Sequence, residues 1–127
     1  MSRPTRARTR LQAFRHAFAG WWFVLRTQRN AWIHACATVA VVAVGLWLGL
    51  ERHAWALLLL AIGLVWLAEF LNTALEAVVD LASPEAHPLA RVGKDVGAAG
   101  VLIAALTAAA IGVLVLGPPL LARLAGD

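Results

Sequence analysis

The chain of 127 residues has no tyrosine, one cysteine and one methionine, and only 14% of its residues are charged. Typical globular chains carry about 25% charged residues and about 45–50% apolar ones, against 61% apolar here. A water-soluble domain is therefore excluded as the simplest reading. With Cys36 alone, no intrachain disulfide can form. Cys36 lies inside an apolar run, where a small buried hydrophobe is expected. No GxxxxGK[ST] phosphate loop occurs, and no GxGxxG follows a strand, so any nucleotide site must be built from side chains. Acidic residues are missing from the first 30 positions, which hold Arg3, Arg6, Arg8, Arg10, Arg15, Arg26 and Arg29, seven of the 11 basic residues. Beside long apolar runs, such a basic segment marks the cytoplasmic side of a membrane protein more often than a nucleic-acid contact. An apolar stretch of a cleaved signal peptide is expected to start earlier and be shorter than the run found here.

What is present is organised by hydrophobicity. Residues 1–10 form a basic tail suited to an anionic lipid surface. Over 11–27, Leu11, Phe14, Phe18, Trp21, Trp22 and Leu25 recur at helical spacing, with Gln12, Arg15, His16 and Arg26 off that stripe. That pattern predicts an amphipathic helix lying in the membrane interface. Three apolar segments follow, with spans placed at 31–50, 55–80 and 90–117. Each meets the roughly 20 mostly apolar residues that a crossing needs. The first and third lack the polar face of a soluble bundle helix. The Pro118-Pro119 pair is expected to end the third span, leaving 118–127 as a C-terminal tail. Lys and Arg concentrate on the N-terminal segment and on the 82–95 loop (Arg91, Lys94), while the other side holds Arg52 and Arg123. The positive-inside rule then puts the N-terminus in the cytoplasm and the C-terminus outside. The fold class expected is all-α, an interface helix plus three membrane helices in a single domain over 11–117.

The second span ends in EFLNTALEAVVD, residues 69–80. At about 100° per residue, with Glu69 at zero, Asn72 falls near about −60°, Glu76 about −20°, Asp80 about +20° and Thr73 about +40°. One stripe, about 16 Å long at about 1.5 Å per residue, therefore carries three carboxylates and an amide. A helix leaving the bilayer would explain Asp80 but not Glu69, which Phe70 and Leu71 follow at once. An ionisable residue at membrane depth costs about 2.5–3.5 kcal/mol on translocon scales and by default marks function. A metal-binding or proton-relay stripe fits this geometry as well. Gly93-Lys94-Asp95 opens the third span among the small residues Gly97, Ala98, Ala99 and Gly100, which let helices approach closely. Carboxylates hold Mg²⁺, and cations neutralise phosphoryl oxygens.

ExxNTALExxxD at 69–80 followed by HPLAxxGKD at 87–95, with FRHAFAG at 14–20 and RNAWIH at 29–34, resembles the small prokaryotic membrane kinases of diacylglycerol and undecaprenol. The likeness runs over roughly residues 10 to 117. It implies a homotrimer with composite sites at the cytoplasmic surface of the inner membrane. It also implies transfer of the ATP γ-phosphate to a lipid hydroxyl with Mg²⁺. Glu69 matches the general-base position, and Glu69 with Ala98 the lipid side. Glu76 matches a metal ligand. Asn72, Asp80, Lys94 and Asp95 match polar positions of the site and are expected to serve ATP, and Arg10 with the basic tail is expected to attract it by charge. The family's second metal ligand is a glutamate just before Arg-Asn, and here that position is Gln28, which coordinates without charge. SPEAHPLA and RNAWIH resemble the undecaprenol branch, KDVGAAGVLIAA the diacylglycerol branch. His34 falls in a matching segment and is read as structural. Because of Gln28, a weakened or non-catalytic relative serving as a lipid- or metal-binding scaffold is the alternative. An ion or proton carrier that uses the buried acids is a third reading.

Overall fold

The computed structural model describes residues 10–126; the tail residues 1–9 and Asp127 lie outside the described residues. Four helices follow one another: α1 (Arg10–Thr27), α2 (Arg29–Leu48), α3 (Arg52–Ala82) and α4 (Pro88–Ala125). The last three are long and apolar enough to cross a membrane. The protein is all-helical and multi-pass, and most of its large apolar side chains point outward, as a bilayer solvent permits. In lipid a helix satisfies its own backbone groups, so the spans need no partner for their main chains.

Each connection has a local cause. Only Gln28 separates α1 from α2; its extended backbone (φ −104°, ψ 115°) breaks the helix for a single residue. The α2–α3 turn depends on Gly49, whose φ of 67° is left-handed. The N–H groups of Gly49 and Leu50 close back on Leu46 and Gly45, satisfying carbonyls that the helix end leaves free. Glu51, extended, then opens α3. The α3–α4 connector is brief. Ser83 Oγ donates to the Glu85 carbonyl (2.8 Å), and His87 Nδ1 accepts from the Leu89 N–H (3.2 Å), with Pro88 at the first helical position, where its missing N–H is no loss.

Two features differ from the sequence reading. Helix α4 starts at Pro88 and continues through Pro118 and Pro119 to Ala125, so the pair that was expected to stop the third span lies inside the helix. Proline's φ near −65° suits a helix, which continues here although the Leu114 and Val115 carbonyls lose the partners that residues 118 and 119 would have supplied. Cys36 is exposed, not buried. Beyond Arg29, Asn30, His34 and Thr38, α2 is apolar, so its pattern gives little indication of which side meets the other helices.

Packing is concentrated where α3 meets α4. At one end of the bundle α1 docks on α3. Trp21 lies 4.8 Å from Trp66 and 4.7 Å from Phe70 between ring centroids. Val24, Ala31 and Trp66 form the buried cluster beneath. Trp66 Nε1 donates to Thr38 Oγ1 (3.1 Å), which itself donates to the His34 carbonyl (2.7 Å). This aromatic cap surrounds the level of α3 at which the acidic stripe begins.

Candidate functional site

The stripe on α3 faces into the protein at its inner end and leaves it at the other. Glu69 is 1% exposed, Asn72 9% and Thr73 5%. Glu76 is half-buried and Asp80 exposed. Thr73 Oγ1 donates to the Glu69 carbonyl (2.9 Å), a bond within its own helix. Five residues that helical spacing aligned on one face thus form a gradient from sealed to wet.

Glu76 is the centre of the polar part. Asn72 Nδ2 donates to Glu76 Oε1 at 3.0 Å, and Gln28 Nε2 donates to Oε2 at 3.4 Å. Gln28 reaches it because the break between α1 and α2 falls at that residue. These three side chains, with Asn30, His34 and Ala98, line a cavity of about 250 Å³. Gly97 is what allows α4 so close: a Cβ there would collide with Asn72 Oδ1 and lie 3.1 Å from Leu75. Asn72 Oδ1, packed against Gly97, is itself buried without a hydrogen-bond partner, an unpaired acceptor at the edge of a polar site.

At the outer end Lys94 Nζ is ion-paired with Asp80 Oδ1. Asp95 is exposed and 3.9 Å from Arg91. These four border a second opening with the α3–α4 connector. Arg10 opens α1 and is exposed; within the described residues no hydrogen bond or ion pair joins it to the other candidate side chains. One protomer therefore brings together Gln28, Asn72, Glu76 and Ala98, and separately Asp80, Lys94 and Asp95. It leaves Arg10 apart.

Glu69 lines neither opening. Its Oε2 lies 3.4 Å from His34 Nε2, and both atoms are buried with no hydrogen-bond partner. Below His34, α2, α3 and α4 enclose an apolar cavity of about 580 Å³, to which His34 also contributes. The reading of His34 as structural missed this contact. The signal available was that His34 is the one ionisable residue of its span.

Among the described residues no three His, Cys, Asp or Glu side chains gather as a metal cage. Mg²⁺ does not require one. It keeps waters and takes one or two carboxylates together with substrate phosphates. Glu76 and the two amides beside it, Gln28 and Asn72, suit a cation that arrives with a polyphosphate.

One buried, one half-buried and one exposed acid along a single membrane-helix stripe, with a polar cavity at Glu76 and an apolar one nearby, define the class: a membrane enzyme that works where an apolar substrate meets a water-borne one. The family model described as prokaryotic diacylglycerol kinase matches residues 15–116, and the chain belongs to that family of ATP-dependent lipid kinases. It is 46% identical over 112 residues to a diacylglycerol kinase of Synechocystis sp., covering 87% of this chain and 64% of that relative. It is 39% identical over 109 residues to an undecaprenol kinase of Bacillus subtilis, covering 86% and 89%. A diacylglycerol kinase of Escherichia coli is 38% identical over 87 residues, covering 63% of this chain and 71% of the relative. The scaffold and ion-carrier alternatives find no support in these likenesses.

Proposed function

We propose that this chain transfers the γ-phosphate of ATP to the hydroxyl of a membrane lipid alcohol, diacylglycerol or undecaprenol, at the cytoplasmic face of the inner membrane. The observation that carries the reading is the burial gradient along α3. A diglyceride or polyprenol stays in the bilayer and ATP in water, so transfer needs groups that straddle the boundary. Glu69, the driest carboxylate, is suited to take the hydroxyl proton, since proton transfer in the transition state is worth about 10²–10⁴-fold. Ala98 leaves space beside the polar cavity for the lipid headgroup. Glu76 with Gln28 would hold Mg²⁺, which offsets negative charge on phosphoryl oxygens when bound. Asn72 fixes one Glu76 oxygen through its 3.0 Å bond. Lys94, held by Asp80, supplies a positive charge for the phosphates, with Asp95 and Arg10 at the rim. Phosphoryl transfer depends mainly on such positioning and electrostatics.

The proposed assembly is a homotrimer with composite sites. Its support is that the two groups of site residues lie apart within one protomer while both border the same end of the bundle. The N-terminus is placed in the cytoplasm and the C-terminus outside on the Lys and Arg distribution. The test is transfer from radiolabelled ATP by purified protein to each lipid, with cross-linking to count protomers. Transfer to either lipid, dependent on Mg²⁺, is expected. A folded protein that labels neither lipid would sink the reading.

A further inference from the structure

Glu69 presents a difficulty for any reaction at its carboxylate. It is 1% exposed and borders neither the polar nor the apolar cavity. A hydroxyl that enters either cavity meets His34, which lines both. The imidazole is 12% exposed, and its Nε2 lies 3.4 Å from Glu69 Oε2. Neither atom has a hydrogen bond elsewhere. Two buried polar atoms left without other partners are costly in an apolar setting, unless each serves the other when the site is engaged. Trp66 stands edge-to-face with the ring at 6.3 Å between centroids.

We propose that His34 is the group through which Glu69 acts, carrying the proton between the lipid hydroxyl and the sealed carboxylate. The proposal rests on the lipid-kinase reading. In the step, a lone pair of the hydroxyl oxygen forms the bond to the γ-phosphorus. The bond from that phosphorus to the β–γ bridging oxygen breaks, and its electron pair leaves with ADP. The hydroxyl's proton passes to Nδ1, the ring nitrogen not turned to Glu69, while the Nε2 proton passes to Glu69 Oε2. The imidazole ends neutral and the carboxyl protonated; the same path in reverse delivers the proton to water in the polar cavity. A carboxylate behind an imidazole holds the ring's orientation and tautomer while staying out of contact with the substrate. The arrangement also explains why Glu69 tolerates closure by the aromatic cap of Trp21, Trp66 and Phe70, since the substrate has no need to reach it.

The experiment uses the full chain reconstituted with diacylglycerol or undecaprenol and ATP·Mg²⁺. Wild type is compared with His34→Gln, Glu69→Gln and the double variant, and with His34→Ala in added imidazole. We expect kcat to fall about 10²–10⁴-fold in His34→Gln, with KM for ATP·Mg²⁺ unchanged. The double variant should be no slower than Glu69→Gln alone, because residues that act as a unit are not additive. Imidazole should restore part of the His34→Ala rate. Should His34→Gln not fold, rescue of His34→Ala by imidazole decides the matter, and a folded His34→Ala that imidazole fails to rescue overturns the proposal. Wild-type kcat in His34→Gln, or losses that multiply in the double variant, also overturn it while leaving the kinase reading intact. A wild-type chain that transfers nothing ends both.

Discussion

Replacing Gln28 with glutamate puts a second carboxylate where an amide now donates to Glu76. The separation is 3.4 Å. Two unit charges that close repel by about 5 kcal/mol at an effective dielectric of about 20 and by about 1 kcal/mol at that of water, from 332/(ε·r). Both side chains are half-buried and can swing apart, which draws the value toward the lower end, about 1–3 kcal/mol. Without a cation, Gln28→Glu should therefore unfold at lower temperature than wild type. With Mg²⁺ the sign reverses, since the same two charges now attract a divalent ion. Each 1.4 kcal/mol of added attraction tightens binding about tenfold. The half-saturating Mg²⁺ concentration for phosphate transfer should fall about tenfold or more, and the melting temperature should rise with Mg²⁺ by more than in wild type. The assay is paired: thermal unfolding in detergent with Mg²⁺ or chelator, and Mg²⁺ titration of transfer at fixed ATP. Superimposable titrations and a melting temperature indifferent to Mg²⁺ in the variant would refute the reasoning and remove Gln28 from the metal site.

Other substitutions probe other parts. Glu69→Ala should insert and fold yet transfer nothing measurable; transfer at the wild-type rate would refute its role. Gly97→Ala should force Asn72 aside and break its bond to Glu76, lowering kcat about tenfold or more while the melting temperature moves by only a few degrees, since the displaced atom ends a flexible side chain. A rate unchanged in Gly97→Ala would show that Asn72 does not position Glu76. Lys94→Ala should shift stability by less than about 1 kcal/mol, because its pair with Asp80 is largely solvated, yet raise KM for ATP several-fold. Equal ATP kinetics would leave Lys94 a surface anchor.

Much of this was legible in the residues. Helical spacing placed Glu69, Asn72, Thr73, Glu76 and Asp80 on one face, and that face proved to be the one that turns inward, with burial falling in the expected direction. The amphipathic pattern of α1 and the three apolar runs matched helices to within a few residues at most ends. What stayed hidden depended on rotations between helices. His34 and Glu69 are 35 positions apart, and in the mostly apolar span of α2 the lone ionisable side chain of His34 was a weak sign of which side meets α3. For the same reason Cys36 turned out on the surface. The Pro118-Pro119 pair misled because proline is disfavoured inside a helix without being excluded from it: its φ fits, and the turns on either side carry the helix on to Ala125. The division of the stripe between two openings was also out of reach, since it is set by how α4 lies across α3.

The 38 residues of α4 make a rod of about 57 Å at 1.5 Å per residue. Hydrocarbon is about 30 Å thick, and even leaning at about 40°, the steep end of what membrane helices adopt, the rod would measure about 44 Å from face to face. It cannot be swallowed. At least one tip must reach beyond the oil, and both ends are tied to neighbouring helices: Lys94 to Asp80 near one, Arg123 over the Trp47 ring at 4.9 Å near the other. With the length of the rod fixed, a thicker or thinner bilayer would change how far the ammonium stands from the oil without any change in the residues around it.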